Sequence, residues 1–373
     1  MRNILLTILL LQLCACGTEK NAGEVIVVDV QKSYPEKNFV LQEIADIRYI
    51  PLETSDKVLL PTDWRFLRFG GTDKNGNIII SSLSGFGNED IFTFDENGKA
   101  VRKINRYGHG NGEYPEIDKI IYDKQADELL VYDGKTMFVY SPDGIYKRSF
   151  DFRVESYISD VHPIDKNRMA GYVSRNKVAH PLAIYSSSDG SVIENIDMKY
   201  PERLFEHLEV QVPLGDGRFF TQVRGAGDKK PLVRVKEGFI VNEASSDTIY
   251  RLGRLGNLSP VIARVPSVNS MATPVFLWVD YASDRYYFMT QRKSDPAAEV
   301  LPKRNLIYDR KDGNIYEGKI TDSDRNGMEP GLPDLIDSRN GKTSLYFVLS
   351  PLRLIEALEK ANCPENLKRS PKA

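Results

Sequence analysis

Two stretches of the chain carry oxygen- and nitrogen-bearing side chains at spacings that suit chemistry. The first is Asp322-Ser-Asp324-Arg-Asn326-Gly327, which sets oxygen donors at alternate positions ahead of a glycine bend. That is the form of the first half of a calcium loop. The carboxylate that closes such a loop at its twelfth position is missing, because Pro333 stands there and Glu329 is the nearest acid. Two readings follow: a structural calcium site at Asp322, Asp324 and Asn326, or a plain acidic turn. The second stretch is Gly108-His109-Gly-Asn-Gly-Glu113. Its glycines invite a phosphate-loop reading, but no Lys-Ser/Thr pair follows. Tyr114-Pro115 leads into a strand-like run, so no helix N-terminus is available to hold an anion. A turn between two β units accounts for it better, with His109 and Glu113 as candidates to face a ligand groove.

Elsewhere the common catalytic devices are missing from the sequence. His109, His162, His180 and His207 show no HxH or HExxH spacing, and no GxSxG elbow occurs. Of the three cysteines only Cys363 lies beyond residue 16, so the body of the chain has no intrachain disulfide and no cysteine-based metal site. Lys+Arg total 50 against 52 Asp+Glu, a net charge of −2, with no long basic block before the tail Lys368-Arg-Ser-Pro-Lys372. Nucleic acid is therefore a poor match as partner.

The N-terminus reads as an address. Met1-Arg-Asn is followed by the apolar run 4–13, too short for a stable membrane span but suited to a signal-peptide core. It ends in Leu13-Cys14-Ala15-Cys16-Gly17, which resembles a bacterial lipoprotein signal with Leu at −3, Ala at −1 and Cys16 as the acylated residue. An ordinary secretory signal with incidental cysteines is the alternative. Residues 1–15 would then be a signal, 16–24 a tether, and acyl chains would hold the rest at the membrane.

What must position any site is a series of hairpins. Ile91-Phe-Thr-Phe-Asp-Glu-Asn-Gly98 and Met137-Phe-Val-Tyr-Ser-Pro-Asp-Gly144 each join two alternating runs through a glycine-closed turn. Ser187-Ser-Asp-Gly190 repeats the turn, so Gly98, Gly144 and Gly190 fall at intervals of 46 residues, the length of a four-stranded propeller blade. Strands are expected over 64–104, 117–150, 157–196, 238–265 and 275–320, and a last one over 344–349. Strands are also expected at 25–30 and 47–52, and a short helix over 352–361. Phe94, Tyr140, Tyr185, Tyr250 and Tyr308 recur at the ends of third strands, as inter-blade packing would require. The fold class is all-β: a six-bladed β-propeller of four-stranded antiparallel blades over residues 25–352, its ring closed by strands from both termini. Residues 353–373 form a terminal helix and tail.

Three segments resemble the six-bladed propeller lipoproteins of Bacteroidetes, related in fold to NHL-repeat propellers. They are Tyr49-Ile-Pro-Leu-Glu-Thr54, Gly108-His-Gly-Asn-Gly-Glu-Tyr114, and Asn305-Leu-Ile-Tyr308 with Thr321-Asp-Ser-Asp-Arg-Asn-Gly327. Asn111 departs from the family's usual Pro, without cost to a tight turn. The resemblance implies fold and envelope location, outer-membrane and periplasmic or surface-facing, and supplies no catalytic residue. The expected role is a lipid-anchored binding or scaffolding module for a glycan, a peptide or an envelope protein. The competing reading is a metal-dependent hydrolase or lyase with its site at the central channel, a fold-level analogy.

Overall fold

The structure, a computed structural model, describes residues 25–349 apart from 62–65, 84–88, 155, 175–177, 205–207, 215–216, 225–229, 296–297, 299–300, 326, 330–332, 334 and 340–341. Cys16, His207, Asn326, Cys363 and the expected helix over 352–361 therefore lie outside the described residues.

The fold is all-β and built of blade-like antiparallel sheets. The first sheet comprises Leu67–Thr72, Ile78–Ser82, Asp90–Phe94 and Ala100–Ile104. Lys119–Asp123, Glu128–Tyr132, Thr136–Tyr140 and Tyr146–Asp151 make the second. The third holds Asp160–Pro163, Arg168–Tyr172, Leu182–Ser186 and Val192–Ile196. The fourth holds Leu232–Val235, Gly238–Val241, Thr248–Gly253 and Leu258–Val265, and the fifth Val275–Ala282, Tyr286–Lys293, Lys303–Asp309 and Asn314–Glu317. First strands adjoin across sheets, Leu67–Thr72 against Lys119–Asp123 and Leu232–Val235 against Val275–Ala282, so the first strand of each blade is innermost.

Why these residues make blades is plain from their second strands. Ile78-Ile-Ile and Leu129-Leu-Val-Tyr are buried without interruption, as strands covered on both faces must be. Alternate side chains serve opposite neighbours. Ile78 and Ile80 pack with Phe92, Phe94 and Val58, whereas Ile79 joins Ile120, Leu129 and Val131 of the second blade. Leu130 and Tyr132 in turn meet Val161 and Met169 of the third. The core is thus a series of layers between blades. Among the recurrent third-strand aromatics, Phe94, Tyr140 and Tyr185 are buried in these layers and Tyr250 and Tyr308 are half-buried.

The outer hairpins close as glycine bulges. Gly144 (φ 80°) donates to the Ser141 carbonyl at 2.9 Å, and the register shifts by one residue just beyond the turn, between Tyr146 and Arg148. A Cβ on Gly144 would lie 2.8 Å from Ile104, the end of the preceding blade's outer strand, and one on Gly190 would lie 2.2 Å from the Asp151 carbonyl. Each turn therefore rests on the blade before it. Gly98 of the first blade obeys the same rule, and what it rests on is Ile50-Pro51, with the Pro51 carbonyl 2.0 Å from the added Cβ.

The N-terminal segment differs from expectation in two ways. Residues 47–52, expected as a strand, carry no sheet pairing, yet they occupy the place of a preceding outer strand. Strand Ile26–Asp29 joins the fourth sheet as a fifth, parallel member beside Leu258–Val265 instead of helping the last blade. Burial explains the choice, since Val28 and Val30 sink into the layer between the fourth and fifth blades. Phe39–Val40 then pairs with Ile320–Thr321, and Leu41–Ile44 adds one helical turn. At the other terminus, the hairpin Leu335–Arg339 and Lys342–Tyr346 lies beside Leu67–Thr72, with Tyr346 and Phe69 ring centroids 5.1 Å apart. Segments from both ends of the chain therefore flank the first blade. A further hairpin, Leu208–Pro213 with Phe219–Arg224, leaves the chain between the third and fourth blades.

Candidate functional site

The inner strands of the second, third and fourth blades begin with Lys119, Asp160 and Leu232, and these three positions meet. The Asp160 carboxylate pairs with Lys119 Nζ through Oδ1 and accepts the Leu232 amide at 3.1 Å through Oδ2. His162, two residues along the same strand face, puts Nε2 3.0 Å from Asp160 Oδ1 and 3.1 Å from Lys119 Nζ. Burial alone would raise the Asp160 pKa, but the Lys119 ammonium and the imidazole overcome it and hold the carboxyl well below its usual range. For His162, burial and then the Lys119 charge outweigh Asp160 and depress the ring to about 4, so it is neutral at pH 7.

Register carries the same end of the blades into a second cluster. Tyr172 lies opposite Asp160, and Asn242 and Glu243 follow Val241, which lies opposite Leu232. Tyr172 Oη donates to Glu243 Oε2 at 2.5 Å, and Ser245 donates to Oε1 from its hydroxyl at 2.7 Å and its amide at 3.0 Å. The Arg203 guanidinium stands 3.4 Å from Glu243 Oε2 and donates to the Val173 carbonyl. Burial first, then the Glu243 charge, pushes the Tyr172 hydroxyl far up, so it stays protonated. Asn242 spans to the fifth blade, exchanging hydrogen bonds with Val279 at 2.9 and 3.0 Å. Between Tyr172, Arg203, Asn242, Glu243 and Trp278 is a cavity of about 10 Å³, room for one water molecule. Every oxygen of Glu243 already accepts a proton donor, so this carboxylate fastens blades together and is not poised as a base.

The residues singled out from sequence fall elsewhere. The Gly108 loop is closed by backbone bonds from Tyr114 to Arg106 (2.9 Å) and Gly108 to Tyr114 (3.0 Å), with Tyr114 fully buried beneath it. Glu113 turns back to accept the Gly110 amide at 2.9 Å, while His109 is exposed, so the two are not brought into one groove. Asp322 is buried. Its Oδ1 accepts from Gln42 at 2.6 Å and from the Asp324 amide at 3.0 Å; its Oδ2 accepts from Arg325 at 2.6 Å and Tyr49 at 3.2 Å. Asp324 reaches the same Tyr49 hydroxyl at 3.3 Å. A calcium ion would have to displace an arginine and three other donors, so the described part of this loop does not fit one. Its bonds instead tie the N-terminal segment to the end of the fifth blade.

Among the described residues no group of three His, Cys, Asp or Glu stands close enough to hold a metal ion. Sequence reasoning missed Lys119, Asp160, His162, Tyr172, Arg203 and Glu243. The one available signal was Asp160-Val-His162, two polar residues at strand spacing on an inner strand.

The DUF4934 family profile, described as a domain of unknown function, matches residues 25–263. The chain belongs to that family. Among curated proteins nothing matches. Several solved structures are distantly similar to this DUF4934 protein. A member of the DUF4221 family from Bacteroides vulgatus shares 13% identity at a TM-score of 0.43, covering 69% of this chain and 83% of its own. A protein of unknown function from Bacteroides caccae shares 10% at 0.30, covering 52% and 67%. The Pan2 WD40 domain of Neurospora crassa shares 9% at 0.31, covering 74% and 84%.

Proposed function

We propose that this DUF4934 protein is a lipid-anchored, six-bladed propeller of the cell envelope that works as a binding or scaffolding module. The partner would be a glycan, a peptide or another envelope protein, held at the end of the blades where Lys119, Asp160 and Tyr172 lie. The observation that carries the reading is the saturation by fixed donors of Asp160, and of Glu243 beside a cavity of one-water size. Such an end is rigid and presents a preorganised surface, which favours recognition. The sequence Leu13-Cys14-Ala15-Cys16 supports the anchor.

Two experiments test this. Wild-type protein should take up labelled palmitate and fractionate with membranes, and Cys16→Ser should lose both. Glycan arrays and in-cell crosslinking should give a partner whose binding falls at least tenfold in Lys119→Ala. Binding indifferent to that end of the blades, or a stoichiometric transition metal with hydrolytic turnover, would overturn the proposal.

A further inference from the structure

At the opposite end of the blades the hairpin turns converge on a second cavity, of about 40 Å³. Gln125 from the second blade, Pro163 from the third, and Arg234, Lys236, Phe239 and Arg254 from the fourth line it. We propose that this cleft binds a tetrahedral oxyanion, the phosphate or sulfate ester at the end of a larger ligand.

Charge carries the argument. Three cations surround the cavity, and among the described residues lining it there is no carboxylate. Of the acids nearby, Asp165 accepts from Arg168 twice at its Oδ2, at 2.8 and 2.6 Å, and Glu237 points away toward Arg251, 3.8 Å from it. One of the three cations is also fixed in place. The Arg234 guanidinium stacks 4.9 Å above the Phe239 ring and donates to the Pro163 carbonyl at 3.2 Å. Arg254 reaches the Lys236 carbonyl at 3.4 Å, and its own carbonyl accepts from Arg168 at 2.7 Å. Like charges lining one cavity repel, and an anion among them relieves that repulsion. Arginine forks suit the paired oxygens of phosphate and sulfate. The volume admits such a group and not the whole of a sugar or peptide.

The site lies apart from the end assigned to the envelope partner and does not depend on the lipid anchor, so either can fail alone. The test is thermal unfolding in phosphate, sulfate, acetate and chloride at equal ionic strength, with titration calorimetry of inorganic phosphate. It uses wild type and Lys236→Ala/Arg254→Ala, whose altered side chains are exposed. The wild type should show a saturable rise of a few °C in phosphate or sulfate over chloride. The double variant should unfold normally in chloride and bind at least tenfold more weakly. Phosphate and sulfate acting alike indicate a general oxyanion site; one acting alone identifies the ester. Equal stabilisation of both proteins, an acetate effect as large as phosphate, or no saturable effect would overturn the proposal.

Discussion

His162 makes the protein's stability depend on pH in a window where few other groups titrate. Its ring is depressed to about 4 in the folded chain against 6.5 for the free side chain. The unfolded chain therefore takes up the proton first as pH falls. The group's contribution is fully present above pH 6.5 and is lost progressively as pH drops toward 4. Between pH 7 and pH 5 those two values correspond to about 2 kcal/mol by linkage. Because the side chain keeps 17% of its exposure, a loss nearer 1 kcal/mol is the lower bound, and the midpoint should fall by about 2–4 °C. Asp160 adds nothing in this interval, since its carboxyl is ionised in both states above pH 5; it contributes only on further acidification. The comparison is wild type against His162→Gln, whose amide can bridge Lys119 and Asp160 without titrating. Chemical denaturation at pH 7 and pH 5 should show the variant losing less stability by that amount, and proton NMR should find the His162 ring neutral at pH 5. Equal losses in both proteins, or a ring midpoint near 6.5, would refute the reasoning.

Other perturbations have definite expected outcomes. Gly144→Ala places a Cβ against Ile104 at a φ of 80° and should cost about 1–3 kcal/mol, read as a lowered urea midpoint. Glu243→Gln leaves Arg203 buried without its counter-charge and should cost about 3 kcal/mol. Tyr172→Phe, removing one hydrogen bond to the same carboxylate, should cost about 1–2 kcal/mol; the reverse order in calorimetry would deny the clamp. Asp322→Ala strands Arg325 and frees Gln42 and Tyr49, so stability should fall by about 3–5 kcal/mol while chelators leave the wild type's melting unchanged. A chelator-sensitive midpoint that the variant abolishes would restore the calcium reading.

The parts of the fold written in local sequence were legible, and those made by distant contact were not. The strands Glu128–Tyr132, Ile78–Ser82 and Thr136–Tyr140 announce themselves because unbroken apolar runs are flanked on one side by an Asp/Asn-Gly turn. Leu232–Val235 has only four residues and one arginine among its apolar ones, too little pattern to register. Ile26–Asp29 reads as a strand, but a parallel partner more than 200 residues away leaves no turn to reveal it. Residues 47–52 have strand-forming composition yet find no strand partner, resting against the first blade's turn and reaching Asp322 and Asp324 through Tyr49. The clusters suffer most: Lys119 and Asp160 are 41 residues apart, Tyr172 and Glu243 are 71 apart, and only closure of the blades brings them together. Asp322 shows the same limit. Its spacing suits either an ion or a turn, and the donor it meets, Gln42, comes from a segment 280 residues earlier.

The way each glycine turn leans on its predecessor also bears on how such a chain can evolve. Ile104 meets Gly144, and Asp151 meets Gly190, so a unit of this length carries both the socket and the plug of one joint. Duplicating a whole unit in tandem would regenerate matching surfaces at both new junctions, whereas inserting half of one would leave a turn with nothing beneath it. As far as this joint is concerned, whole units are the lengths that leave every turn supported. The first turn is the exception, because Ile50-Pro51 supplies its socket from outside the repeat. That stretch is where the repeated joint stops and a segment of different sequence takes over its role.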